Sequence, residues 1–173
     1  MALSLQFPRL VCVLLITFSL SFLVEQTNAV PKISSGDMDT ILNKGGLEGF
    51  LKGTKKSAIL LEFYSEMCGS CKAFTPKLEA LHKKILADQE DLPVYKVNID
   101  EKVGMQLATQ QNALEDGIPN FRAYFLDGDE KLQHEDLISN EQRMDDAYET
   151  PTQMLAKVRK ILGQKRSNKK SDL

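Results

Sequence analysis

Tryptophan is absent from this chain of 173 residues, and histidine and cysteine are scarce, at two and three residues. His82 and His134 have no spacing that completes a metal-ligand set with the cysteines, so the sequence offers no zinc site. An excess of positive charge is lacking too. The 22 Lys and Arg stand against 24 Asp and Glu for a net charge of -2, which gives no basic footprint for nucleic acid. No apolar run reaches the roughly 20 residues a membrane-spanning helix needs. What is present is an ordinary soluble composition, 42% hydrophobic and 27% charged, at a length that favours one domain.

The longest apolar stretch lies near the amino terminus. Arg9 precedes Leu10 to Val24, fifteen mainly apolar residues, and Thr27-Asn28-Ala29 then supplies a small-residue site, so residues 1–29 are expected to be a removed signal peptide. Cys12 would leave with it, and Cys68 and Cys71 would be the only thiols of a mature chain without a membrane span. At the other end, Lys170-Ser171-Asp172-Leu173 resembles the tetrapeptide read by the endoplasmic reticulum retrieval receptor, with Ser-Asp where Asp-Glu is usual. The expected location is the endoplasmic reticulum lumen, with ordinary secretion as the alternative. Residues 30–163 are expected to form the domain and 164–173 a basic tail.

Cys68-Gly69-Ser70-Cys71 carries the chemistry. The apolar run Ile59 to Tyr64 predicts a strand before it, and Lys72 to Leu81 has helical spacing after it. Residues three apart at a helix start are separated by about 5 to 6 Å, within the Cα separation of a disulfide, so the two sulfurs can join without moving the backbone. A structural staple is the plainer reading, yet a four-residue loop constrains the unfolded chain far less than a long one, and redox exchange is favoured.

A thiol at a helix start faces unsatisfied N–H groups and the positive end of the macrodipole, which favour thiolate. Lowering a pKa of about 8.5 by about two units raises the ionised fraction near pH 7 some 25-fold. Intrinsic nucleophilicity falls about eightfold over the same interval, so the net gain in attack is only about threefold. The larger benefits come from Cys68 as a good leaving group and from Cys71 waiting to resolve a mixed disulfide. Glu62 is a second oddity, a carboxylate among Leu60, Leu61, Phe63 and Tyr64. Strand alternation puts Leu60, Glu62 and Tyr64 on one face, which is either solvated or buried under a covering layer.

Several spaced features together resemble the thioredoxin superfamily. Glu62 stands six residues before Cys68 and Pro76 five after Cys71, Lys96 opens Lys96-Val97-Asn98-Ile99-Asp100, and Gly117-Ile118-Pro119 precedes the strand-like Phe121 to Leu126. Glutamate at the acid position and lysine on the next strand are more similar to protein disulfide isomerase domains than to bacterial thioredoxin. The resemblance covers Asp37 to Leu162 and implies an α/β thioredoxin fold, a mixed central β-sheet flanked by helices on both faces. It implies a thiol-disulfide oxidoreductase, isomerase-like, in which Cys68 attacks, Cys71 resolves, and a buried Glu62 moderated by Lys96 relays the resolving thiol's proton. It also implies a cis Ile118-Pro119 peptide beside the disulfide, where the Ile118 backbone pairs with substrate, and Met67, Gly69 and Ser70 complete the substrate surface.

The Cys68–Cys71 disulfide would be the redox group, with no other cofactor and no metal expected. The expected partners are cysteine-containing clients of the secretory pathway and the retrieval receptor at Lys170 to Leu173. The rival reading is a lumenal escort or chaperone that holds clients around Met67, Tyr64 and Pro119 with incidental redox activity.

Departures from the family pattern are informative. Met67 stands where tryptophan is usual, and Gly69-Ser70 is neither the Gly-Pro of reducing thioredoxins nor the Gly-His of strong oxidants. A Ser70 hydroxyl can donate one hydrogen bond to the Cys68 thiolate, which implies an intermediate potential. The connection from Leu107 to Pro119 is about two residues longer than the family pattern. The isomerase arginine before the last helix has no direct match, Thr152 being nearest and Arg143 a displaced candidate.

Elsewhere, Asp37 to Leu51 has a helical stripe interrupted at Gly45-Gly46, Leu92 to Ile99 reads as a strand, and Asp127-Gly128 as a hairpin turn before Lys131 to His134. Ser139 to Thr150 reads as an acidic connector, and Pro151 starts a final amphipathic helix.

Overall fold

A strand that is apolar on both faces has to lie inside its sheet with layers above and below, and β1 (Ala58–Tyr64) does: all seven residues are buried. The computed structural model describes residues 29–171, apart from positions 44, 89 and 146. Residues 1–28 of the predicted signal peptide, Cys12 among them, and Asp172 and Leu173 of the retrieval-like tetrapeptide lie outside the described residues.

Along the chain the elements are α1 (Ser35–Asn43), α2 (Gly46–Thr54), β1, α3 (Gly69–Ala87), β2 (Val94–Asn98), α4 (Lys102–Gln110), β3 (Asn120–Leu126), β4 (Leu132–Asp136), α5 (Asn140–Met144) and α6 (Pro151–Ser171). The strand order is β2-β1-β3-β4. β1 runs parallel to β2 and antiparallel to β3, and β3 is antiparallel to β4, so the sheet is mixed as expected. A parallel pair needs a long crossover, which α3 supplies.

Two apolar layers cover the sheet. On one face Leu60 packs with Phe74, Leu78 and Leu81 of α3 and with Met154, Leu155 and Val158 of α6. On the other, Ile59, Leu61 and Phe63 meet Met38 and Ile41 of α1, Leu47 and Leu51 of α2, and Leu107 of α4. The stripes read from periodicity are these layers. Helices lie on both faces, as the resemblance implied.

Before α1, Val30 and Ile33 are buried, and Pro31 and Ile33 exchange backbone hydrogen bonds with Lys96 along the free edge of β2. Three local readings change. The hairpin turn is a five-residue loop rather than Asp127-Gly128 alone. Asp127 Oδ1 accepts the N–H groups of Asp129 and Lys131, and the left-handed residue is Glu130. The acidic connector contains α5, which starts at a reciprocal capping box between Ser139 and Gln142. α6 continues through Gly163 to Ser171, so the basic segment extends a helix.

Gly104 sets how closely α4 approaches the end of β2. A Cβ there would stand 1.9 Å from the Asn98 carbonyl oxygen and 2.8 Å from its carbon, both rigid backbone atoms. Gly104→Ala should therefore push α4 outward and destabilise the fold by about 3 kcal/mol, the upper part of the range for overpacking. Urea unfolding checks this, and an unchanged midpoint would contradict the close approach.

Candidate active site

Cys68 is the N-cap residue of α3. Its backbone is extended (φ -82°, ψ 119°), and its sulfur accepts the Cys71 N–H at 3.1 Å. That position normally holds a Ser, Thr, Asp or Asn oxygen satisfying an orphan helix donor. Here a sulfur does so, and the first turn carries no acidic residue to oppose negative charge. Cys68 is disulfide-bonded to Cys71 with a Cα separation of 5.3 Å. The two differ in exposure: Cys71 is buried and Cys68 only partly so, which leaves Cys68 as the sulfur within a visitor's reach. In the disulfide, the donor aimed at Cys68 is the Cys71 amide.

The turn leading into Cys68 is tied to the end of β2. Asp100 Oδ2 accepts from Ser65 Oγ at 3.0 Å and from the Glu66 N–H at 2.9 Å, and Ser65 Oγ in turn accepts from the Met67 N–H at 3.1 Å. Tyr148 donates from its hydroxyl to the Ser70 carbonyl at 3.3 Å, and its ring lies 4.8 Å from that of Phe74. Both ends of the Cys-Gly-Ser-Cys stretch are held. Met67 projects into solvent at 88% exposure, and Gly69 is exposed.

On the opposite side, the Ile118-Pro119 peptide is cis, and the Ile118 carbonyl oxygen lies 3.8 Å from Cys68 Sγ. Gly117 has φ 82°, a left-handed conformation that favours glycine. Pro119 and Tyr64 are buried, so neither side chain offers a contact surface; the open part of this turn is Gly117 and the half-buried Ile118. A groove of about 430 Å³ opens beside it, with Ser70, Ile118, Arg143 and Met144 among its walls. Arg143 donates to the Ile138 carbonyl and to the Asn140 side chain, so it serves the turn into α5, while Thr152 is exposed.

Glu62 is fully buried, which settles the open question of its face. The parallel register pairs Glu62 with Lys96, and Lys96 Nζ lies 3.3 Å from Glu62 Oε2. Neither carboxylate oxygen accepts an aligned hydrogen bond. Desolvation therefore dominates and pushes Glu62 up to about 7, with the Lys96 charge opposing the rise. Lys96 Nζ also donates to Thr75 Oγ1 at 3.3 Å and sits 4.4 Å from the Tyr64 ring centroid. Thr75 Oγ1 donates to the Cys71 carbonyl at 3.0 Å, so the chain Glu62, Lys96, Thr75 ends on the backbone of the buried cysteine.

The structure brings Cys68, Cys71 and Ile118 together and links Glu62 and Lys96 to the same helix turn. Sequence reasoning missed Thr75, Asp100, Tyr148 and Arg122. Arg122 was findable, because a charge inside Phe121 to Leu126 is the same anomaly as Glu62 inside β1.

Folding should be pH-dependent through Glu62, whose ordinary value is 4.5. The folded state holds its proton up to about pH 7 while the unfolded chain has released it, so stability falls as pH rises from about 4.5 to about 7, by at most about 3 kcal/mol. Glu62→Gln should remove that slope and be the more stable protein at pH 8. Denaturant unfolding across pH 4 to 8 checks this, and an unchanged slope in the variant would contradict it.

Residues 42–145 match the family model Thioredoxin. Protein disulfide-isomerase A4 of Mus musculus is 27% identical over 122 residues, 70% of this chain and 16% of that protein. Probable nucleoredoxin 1 of Arabidopsis thaliana is 30% identical over 77 residues, 44% of this chain and 13% of that protein. This chain therefore spans only a small part of the curated relatives it matches. The crystal structure of the Trx4 domain of ERdj5 shares its fold, with a TM-score of 0.53 and 18% identity, covering 78% of this chain and 96% of that one. The family model covers more than half of the chain, and the disulfide, the cis peptide and the mixed sheet lie where such a fold would hold them: this chain belongs to the thioredoxin family.

Proposed function

We propose that this chain is a thiol-disulfide oxidoreductase, isomerase-like, that acts on cysteine-containing clients folding in the endoplasmic reticulum lumen. The observation that carries the reading is the unequal pair: a partly exposed Cys68 sulfur at a helix N-cap, bonded to a buried Cys71 and facing the Ile118 carbonyl.

In the reducing direction the Cys68 thiolate attacks one sulfur of a client disulfide. A Cys68–client bond forms, the client S–S bond breaks, and the second client sulfur leaves as thiolate. Cys71 then gives its proton to the Glu62 carboxylate and attacks Cys68, forming the Cys68–Cys71 bond and releasing the first client thiolate. Glu62 suits this step because its affinity for a proton lies near neutrality. In the oxidising direction the same steps run backward, starting from the Cys68–Cys71 disulfide and a client dithiol. Isomerisation pairs the two halves without net electron transfer. During each attack the Ile118 backbone pairs with an extended client segment beside Met67, Gly69 and Ser70.

The secretory location rests on the sequence alone, from the signal-like residues 1–29 and the retrieval-like Lys170 to Leu173. The escort reading has one observation in its favour, the exposed Met67 next to Cys68 and the exposed Met144 on the wall of the groove that Ser70 and Ile118 also line.

Reduction of insulin and refolding of a scrambled disulfide protein separate the two readings. Cys68→Ser should abolish turnover, and Cys71→Ser should accumulate a mixed disulfide with client that non-reducing electrophoresis displays. A wild-type protein without turnover, together with a Cys68→Ser variant that still protects clients fully from aggregation, would overturn the enzyme reading.

A further inference from the structure

We infer that Arg122 is a positioning residue that holds the Ile118-Pro119 turn at its working distance from Cys68 and so sets affinity for extended client segments. This deepens the function proposed above and rests on the client pairing with Ile118.

Arg122 is the third residue of β3, opposite Leu61 on β1 and Asp136 on β4, and it is 3% exposed. Its guanidinium lies beneath the long connection between α4 and the cis peptide. Nε donates to Asp136 Oδ1 at 2.7 Å and Nη1 to the Gln111 carbonyl at 2.8 Å. Nη2 donates to the Asn112 carbonyl at 3.4 Å and to Asp116 Oδ2 at 3.2 Å. Gln111 and Asn112 follow the last turn of α4, where carbonyls are left without helical donors and a cation is favoured.

One planar fork therefore joins the end of a helix, the loop that follows it and the edge strand β4. Three backbone bonds tie the start of the loop to α4, from the N–H groups of Gln111, Asn112 and Ala113 to the Leu107, Thr109 and Ala108 carbonyls at 3.1, 3.1 and 2.9 Å, and farther along the Gly117 N–H donates to the Leu114 carbonyl at 3.1 Å; the guanidinium adds the ties that reach from this loop across to β3 and β4. The next two residues after Gly117 are Ile118 and Pro119. Past them β3 pairs with β1, with Asn120 opposite Phe63, so the Ile118-Pro119 turn that faces Cys68 is fixed by the sheet on one side and by the Arg122-braced loop on the other. Geometry at this turn is what an extended client would read, and a shift of about 1 Å at a reacting site can be costly.

The test compares two oxidised substrates of the reduced protein: a peptide with an intramolecular disulfide in an extended segment, and hydroxyethyl disulfide, which has no amide to pair with the Ile118 backbone. Arg122→Met should raise KM for the peptide about tenfold and change the rate with hydroxyethyl disulfide by less than about twofold. Arg122→Lys keeps the charge without the fork and should fail to rescue. Amide exchange supplies a readout independent of activity. The Ala113 and Gly117 amides should exchange at least about tenfold faster in Arg122→Met while the β1 amides keep their protection.

A parallel loss for both substrates, rescue by lysine, or a uniform loss of protection that includes β1 would overturn the inference. If Arg122→Met does not fold, Asp116→Asn leaves the Arg122 to Asp136 pair in place and should show the same pattern in smaller degree; unchanged loop exchange in that variant would likewise overturn it. Should the wild type react with neither substrate, the proposed function fails, and the exchange measurement alone decides whether Arg122 holds the turn.

Discussion

The site depends on one contact, the Cys71 N–H donated to the Cys68 sulfur at the start of α3. It satisfies a helix donor that would otherwise be orphaned, and it puts the more exposed of the two sulfurs where backbone dipoles favour negative charge. Much of the surrounding structure keeps that contact in place. Asp100 grips the turn before Cys68, Tyr148 grips the turn after it, and Gly104 lets α4 pack close to the backbone of Asn98, two residues before Asp100.

Two buried charges share a logic on opposite faces of the sheet. Glu62 and Arg122 each interrupt an apolar central strand, and each would be destabilising without a partner. They are satisfied unequally. Arg122 uses its whole fork, with every contact directed at an acceptor, as suits a brace. Glu62 has one cation at ion-pair distance and no aligned donor, so it holds its proton more tightly than an ordinary carboxyl and exchanges it near neutral pH. A well-satisfied Glu62 would be a better structural element and a poorer proton acceptor.

The layers of the fold were legible because periodicity reports burial directly: Phe74, Leu78, Leu81 and Ile85 read as one helical stripe, and all four are buried. The thiols, Glu62, Lys96 and the cis Ile118-Pro119 were legible as spaced features, the last only through family resemblance. Polar contacts between segments distant in sequence were not. Asp100 reaches back to Ser65, Tyr148 to Ser70, and Arg122 to Gln111, and no local pattern in the sequence announces such pairs. The Cys71 amide was not legible for a related reason, since a side-chain donor is visible in a sequence and a backbone amide aimed by a helix is not. The Ser139 to Gln142 capping box was readable and was passed over among acidic residues.

The central claim is that the helix start makes Cys68 a thiolate more readily than an ordinary thiol. Titrating Cys68 in the reduced protein, with Cys71→Ala removing the second thiol's signal, tests it most directly. The account predicts a value clearly below the roughly 8.5 of an unperturbed cysteine. A value at or above that figure would mean that the N-cap position does not activate the sulfur, and the mechanism built on it would be wrong.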